Sequence, residues 1–74
     1  MYKTTVKVDG MMCGMCEAHV NDAIRNSFKV KKVVSSSKKG LTTITSPEPL
    51  DLEAVKKAIT DAGYTALSAE TVED

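Results

Sequence analysis

Cys13 and Cys16 are the residues of this sequence whose type and spacing point most directly to chemistry. With two residues between them, both sulfurs can turn toward one point when the second cysteine opens a helix, so the pair is a natural chelate. A thiolate at Cys16, near a helix N-terminus, would be stabilised by unpaired backbone amides and the positive end of the macrodipole, which lowers its pKa. Gly14 leaves the loop able to close around an ion. Thiolates select soft ions such as Cu(I) and Zn(II). A closed structural zinc site uses four ligands, whereas the chain has two cysteines and one histidine. Cu(I) tolerates two-coordination, and Met12 rather than a carboxylate stands before Cys13, which biases the pair toward the monovalent soft ion.

The same spacing also suits a thiol–disulfide redox pair, the alternative from a different functional class. Redox motifs of the thioredoxin type commonly have Trp and Pro close by, and here there is no Trp in the chain and no Pro near the cysteines. His19 follows Cys16 by three residues and reads as a solvated surface side chain rather than a ligand. Met12 and Met15 are expected at the surface. A thioether there suits a transient third contact to Cu(I), but neither belongs to the ligand set.

Composition narrows the classes further. At 74 residues the chain is one domain, residues 1–74, with a core too small for a deep substrate cavity, so function belongs at the surface. Three aromatic residues, Tyr2, Phe28 and Tyr64, offer little for stacking bases, and ten basic side chains balance ten acidic ones. Nucleic-acid binding is therefore not expected. No stretch approaches the roughly eighteen apolar residues that span a bilayer, and the polar start lacks the core of a signal peptide. The expected location is the cytoplasm, with no membrane insertion, where reducing conditions keep the cysteines as thiols. Lys29, Lys31, Lys32, Lys38 and Lys39 form the densest basic group, and the acidic end, Glu70, Glu73 and Asp74, reads as a frayed tail.

The elements that must position the cysteines follow from periodicity. Tyr2, Thr4, Val6 and Val8 alternate with polar residues as a strand with one buried face. After Asp9 and Gly10, a helical pattern begins at Cys16, with Val20, Ala23, Ile24 and Phe28 inward and Glu17, Asn21, Asp22 and Arg25 outward. Val30–Ser36 and residues 41–45 suggest a hairpin, although the alternation in the first of these is poor. Asp51 suits an N-cap, Leu50 and Val55 a hydrophobic staple, and Leu52, Val55, Ile59 and Ala62 a buried stripe, with Gly63 at the C′ position. Residues 64–69 complete a last strand. This order predicts an α+β, ferredoxin-like βαββαβ sandwich, a four-stranded antiparallel sheet with two helices on one face. From strand order, the hairpin turn with Lys38 and Lys39 is expected at the opposite end of the sheet from the cysteine loop, where those lysines would matter little for docking.

The segment Val8-Asp9-Gly10-Met11-Met12-Cys13-Gly14-Met15-Cys16 resembles the GMxCxxC signature of the heavy-metal-associated domain family, and Asp61-Ala62-Gly63-Tyr64 resembles that family's closing helix-to-strand segment. The resemblance covers essentially the whole chain. It implies that Cys13 and Cys16 are the metal ligands, that Met11 points inward beneath the loop, and that Tyr64 shields it, as in bacterial copper chaperones. It further implies a binding protein rather than an enzyme: a cytosolic Cu(I) chaperone that passes metal to a metal-transporting P-type ATPase or another CxxC domain. Such a protein would be a monomer without metal and able to form a metal-bridged dimer. Zinc-handling members often carry Asp before the first cysteine, and mercury carriers of this fold bear a signal sequence; neither feature is present. Zn(II) or another soft metal is the alternative cargo. Met12 stands where copper members often have Thr or His.

Overall fold

The computed structural model describes residues 1–11 and 14–73. The elements run β1 (Tyr2–Asp9), α1 (Gly14–Ser27), β2 (Lys32–Ser36), β3 (Leu41–Ser46), α2 (Leu52–Asp61) and β4 (Thr65–Glu73). The strands form one sheet in the order β2-β3-β1-β4, with every neighbouring pair antiparallel. This is the predicted ferredoxin-like split βαβ topology.

The alternation in β1 buries Thr4, Val6 and Val8, and the helices bring Val20 and Ile24 from α1 and Val55 and Ile59 from α2 onto the same face. Val33 and Ile44 complete this side of the core from β2 and β3. One apolar layer thus joins sheet and helices, and burial of this kind contributes about 25 cal/mol per Å² of apolar surface.

The hairpin alternates after all, but hydroxyl residues hold three of its five buried positions. Ser35, Thr42 and Ser46 are buried beside Val33 and Ile44, while Val34 points outward. Buried hydroxyls need partners. Ser35 Oγ donates to Asn21 Oδ1 at 2.6 Å and lies 3.0 Å from Thr42 Oγ1, and Ser46 Oγ donates to the Glu48 carbonyl at 2.6 Å. Asn21 and Glu17, expected on the outer face of α1, instead face β2 and its turn, because these backbone and hydroxyl donors offer them partners. Asp22 and Arg25 do lie outward, 3.7 Å apart.

The second helix begins and ends as its sequence requires. The Asp51 side chain accepts from the Glu53 and Ala54 amides. At the other end the amides of Gly63 and Tyr64 donate to the carbonyls of Thr60 and Ile59, a Schellman motif that Gly63 permits at φ +100°.

Three further placements differ from the sequence reading. Helix α1 begins at Gly14 rather than Cys16, and Gly14 has no positive φ and open space around its Cα, so nothing in its geometry demands glycine. Strand β4 continues through Glu73, so Glu70 and Glu73 belong to the sheet and pair with Thr5 and Tyr2 rather than to a frayed tail; Asp74 lies outside the described residues. Within this longer strand the register against β1 shifts at Lys7/Val8, which turns Leu67 outward as a bulge.

The third difference concerns the hairpin turn. Leu41 pairs with Lys7 and Ser46 with Tyr2, so the turn before β3 lies beside the end of β1, at the same end of the sheet as the cysteine loop. In this topology β1 and β2 run parallel, and the connections that follow them must emerge together. The basic group is accordingly split, with Lys29, Lys31 and Lys32 at the far end and Lys38 and Lys39 at the loop end.

Candidate metal centre

Cys16 is the third residue of α1, within its first turn, half-buried and packed against the core. Cys13 and Met12 lie outside the described residues. Of the expected site residues, the structure therefore places Cys16, Met11 and Tyr64, and it gathers all three at one end of the sheet.

Met11 is 5% exposed and belongs to the core cluster with Val8 and Val20. Gly10 precedes it at φ +101°, and a Cβ at that position would stand 3.6 Å from Cδ1 of Tyr64. Glycine here serves the backbone turn, and the tyrosine ring packs over it. Tyr64 is half-buried against the core and is held in place by the cap of α2, whose last bond runs from its own amide to Ile59. Its hydroxyl stands 3.4 Å from Nδ1 of His19, a long contact that links the helix-to-strand segment to the outer side of α1. His19 itself is exposed, as expected.

Sequence reasoning missed two contacts. The Glu17 carboxylate accepts from the Ser37 amide at 2.6 Å, and the Val8 amide donates to the Gly40 carbonyl at 2.7 Å. The turn that follows β2 is thus tied to the chain just before and just after the cysteine loop. No spacing signals these bonds; strand direction alone would have placed the turn correctly. Gly40 suits its position, at φ +65° with a Cβ there 3.1 Å from the Val8 carbonyl.

Met15 is 73% exposed beside Cys16 on the first turn, which agrees with a surface thioether. Two surface clefts, of about 390 and 270 Å³, are lined by Phe28, Pro47 and Leu50 and by Thr5, Leu41 and Glu70; Cys16 lines neither. Among the described residues no group of three or more His, Cys, Asp or Glu is arranged to hold a metal, and no helix is long and apolar enough to cross a membrane.

Comparison with known proteins agrees with this geometry. The chain is 35% identical over 72 residues to a mercuric reductase of Lysinibacillus sphaericus, covering 97% of this chain and 13% of the reductase. It thus spans only about an eighth of the length of the curated relatives it matches. Among solved structures it is similar to a copper-binding domain from HMA7, a P-type ATPase, with 30% identity, a TM-score of 0.78, and coverage of 99% of this chain and 96% of that one. It is also similar to the CopZ metallochaperone, with 26% identity, a TM-score of 0.80, and coverage of 88% and 98%. Residues 5–65 match the heavy-metal-associated domain, and the chain, which has the ferredoxin-like fold described above, belongs to the heavy-metal-associated domain family.

Proposed function

We propose that this chain binds Cu(I) between the thiolates of Cys13 and Cys16 and passes it, without chemical turnover, to a second CxxC domain. The observation that carries the reading is the position of Cys16, on the first turn of a helix at an exposed end of the domain, three residues after Cys13. Two soft thiolates satisfy Cu(I) and leave room for a third incoming thiolate, so metal moves by ligand exchange rather than release. Met11 fixes the start of the loop and Tyr64 covers its flank, and neither ligates. The partner is a metal-transporting P-type ATPase or another CxxC domain in the cytoplasm. The domain is a monomer without metal, and Cu(I) shared between two copies gives a bridged dimer.

A second reading, in which the cargo is a soft divalent ion such as Hg(II) or Zn(II), draws on the similarity to mercuric reductase. Anaerobic titration of the reduced chain with Cu(I), Zn(II) and Hg(II), each alone and in competition, separates the two. The Cu(I) reading requires one Cu(I) per chain, or one per two chains, retained against excess Zn(II). Displacement of Cu(I) by Zn(II) at equal concentration would favour the divalent cargo.

A further inference from the structure

One side chain joins the two ends of the segment that carries the cysteines. Gly10 stands just before that segment, and a Cβ built on it would lie 3.6 Å from Cδ1 of the Tyr64 ring. His19 stands just after it, with Nδ1 3.4 Å from the Tyr64 hydroxyl. Gly10 follows the last residue of β1 and His19 belongs to the second turn of α1, so the ring reaches from strand to helix. It is carried by neither element. Tyr64 lies on the connection between α2 and β4, where its amide is fixed by the bond to Ile59 behind Gly63. The backbone end of the tyrosine is thus held by the cap of α2, and its hydroxyl end by His19.

Helical residues three apart share a face, so the hydroxyl end of the ring lies beside the turn that presents Cys16. Cys16 is half-buried there, whereas Met15 on the same turn is 73% exposed. The bond to His19 needs no particular tautomer, because Nδ1 either accepts from the hydroxyl or donates its N–H to it. At 3.4 Å and in contact with water it is a weak bond, one that opens and closes rather than locks. We infer that His19 is a positioning residue for metal exchange: by anchoring the Tyr64 hydroxyl it keeps the ring across the Cys16 turn, so that an incoming thiol reaches this side only when the bond has opened. This role rests on the transfer reading above. It concerns the rate of exchange and leaves affinity alone, since neither His19 nor Tyr64 ligates the ion. Loss of one weak neutral hydrogen bond shifts such an opening equilibrium by about two- to fivefold.

The test compares the reduced wild-type chain with H19A, H19N, Y64F and the H19A/Y64F double variant. His19 is exposed and Phe keeps the ring that packs against the core, so none of these removes a buried contact. In the metal-free chain, the nuclear Overhauser contact between the Tyr64 ring and Gly10 reads the position of the ring. Alkylation of Cys16 by uncharged iodoacetamide, resolved by peptide mass, reads access to the thiol. H19A and Y64F should each weaken the contact and speed alkylation by about two- to fivefold. H19N sets an amide, both donor and acceptor, near the place of Nδ1 and should recover at least half of the change. The double variant should do no more than either single one, because both singles break the same bond. Cu(I) transfer from the loaded chain to a second CxxC domain should speed by a similar factor in H19A, with equilibrium Cu(I) affinity unchanged. Unaltered alkylation, additive effects of the two substitutions, an H19N variant that behaves as H19A, or a fall in Cu(I) affinity in H19A, which would make His19 a ligand, would overturn the inference. Failure of the wild-type chain to take up Cu(I) would overturn the transfer reading instead, and the Overhauser contact and alkylation, which need no metal, would still decide whether His19 holds the ring beside Cys16.

Discussion

The carboxylate of Glu17 accepts a hydrogen bond from the amide of Ser37 at 2.6 Å, joining the first turn of α1 to the hairpin across twenty residues of sequence. Because Glu17 follows Cys16 directly, this bond fixes the helix start relative to the sheet. Glu17→Ala removes the acceptor from a partly buried amide and should cost about 1–2 kcal/mol of stability. Glu17→Gln keeps an acceptor oxygen and should recover at least half of that loss. Urea unfolding of the metal-free variants measures both, and equal stabilities for the Ala variant and the wild type would show the bond to be unimportant.

Metal is not needed for this fold, because a continuous core from Val6 to Ile59 already joins both helices to the sheet. The metal-free chain should unfold cooperatively and show dispersed amide resonances, unlike a zinc finger. Ile24→Ala, at a fully buried position, should cost about 2–5 kcal/mol. Cys13→Ser and Cys16→Ser should each leave the spectrum folded. A metal-free chain with collapsed resonances would contradict this account of the core.

Two glycines separate backbone need from mere occurrence. Gly63 sits at φ +100°, and a Cβ added there would meet nothing within 4 Å, so Gly63→Ala should cost about 1–2 kcal/mol through backbone strain alone. Gly14 is helical with the same open surroundings, and Gly14→Ala should be neutral or stabilise by up to about 1 kcal/mol. Thermal unfolding of the two variants side by side checks the contrast. Similar losses at both positions would show that Gly14 is required after all.

The buried hydroxyls offer a further check. Ser35 joins Asn21 and Thr42 beneath the helices, and Ser35→Ala would strip partners from two polar groups. A loss of about 1–2 kcal/mol is expected in chemical denaturation, and a stabilised variant would argue that the hydroxyls are incidental.

Much of this architecture is legible in the sequence alone. The alternation in β1, the Asp51 cap and the Gly63 C′ position each state a local physical requirement, and each is met. The hairpin register is obscured because Ser35, Thr42 and Ser46 read as polar and therefore as exposed, while their hydrogen bonds exist only in the folded sheet. Leu67 and Val34 face solvent although both are apolar, a placement that residue type alone does not signal. At the site, it is the family resemblance that singles out Met11 and Tyr64, and their part in metal handling stands as a proposal. The Glu17 and Gly40 contacts are not, because they depend on which connections share an end of the sheet. Cys13 lies outside the described residues, and its role is the proposal made from its chemistry and spacing.

The most direct test of the central claim is Cu(I) affinity by anaerobic chelator competition for the wild type, the Cys13→Ser and Cys16→Ser variants, and the double variant. Ligation by both thiolates predicts that each single substitution removes most of the affinity and that the double variant retains no specific site. A double variant that holds Cu(I) as tightly as the wild type would contradict the assignment of these cysteines as the metal site.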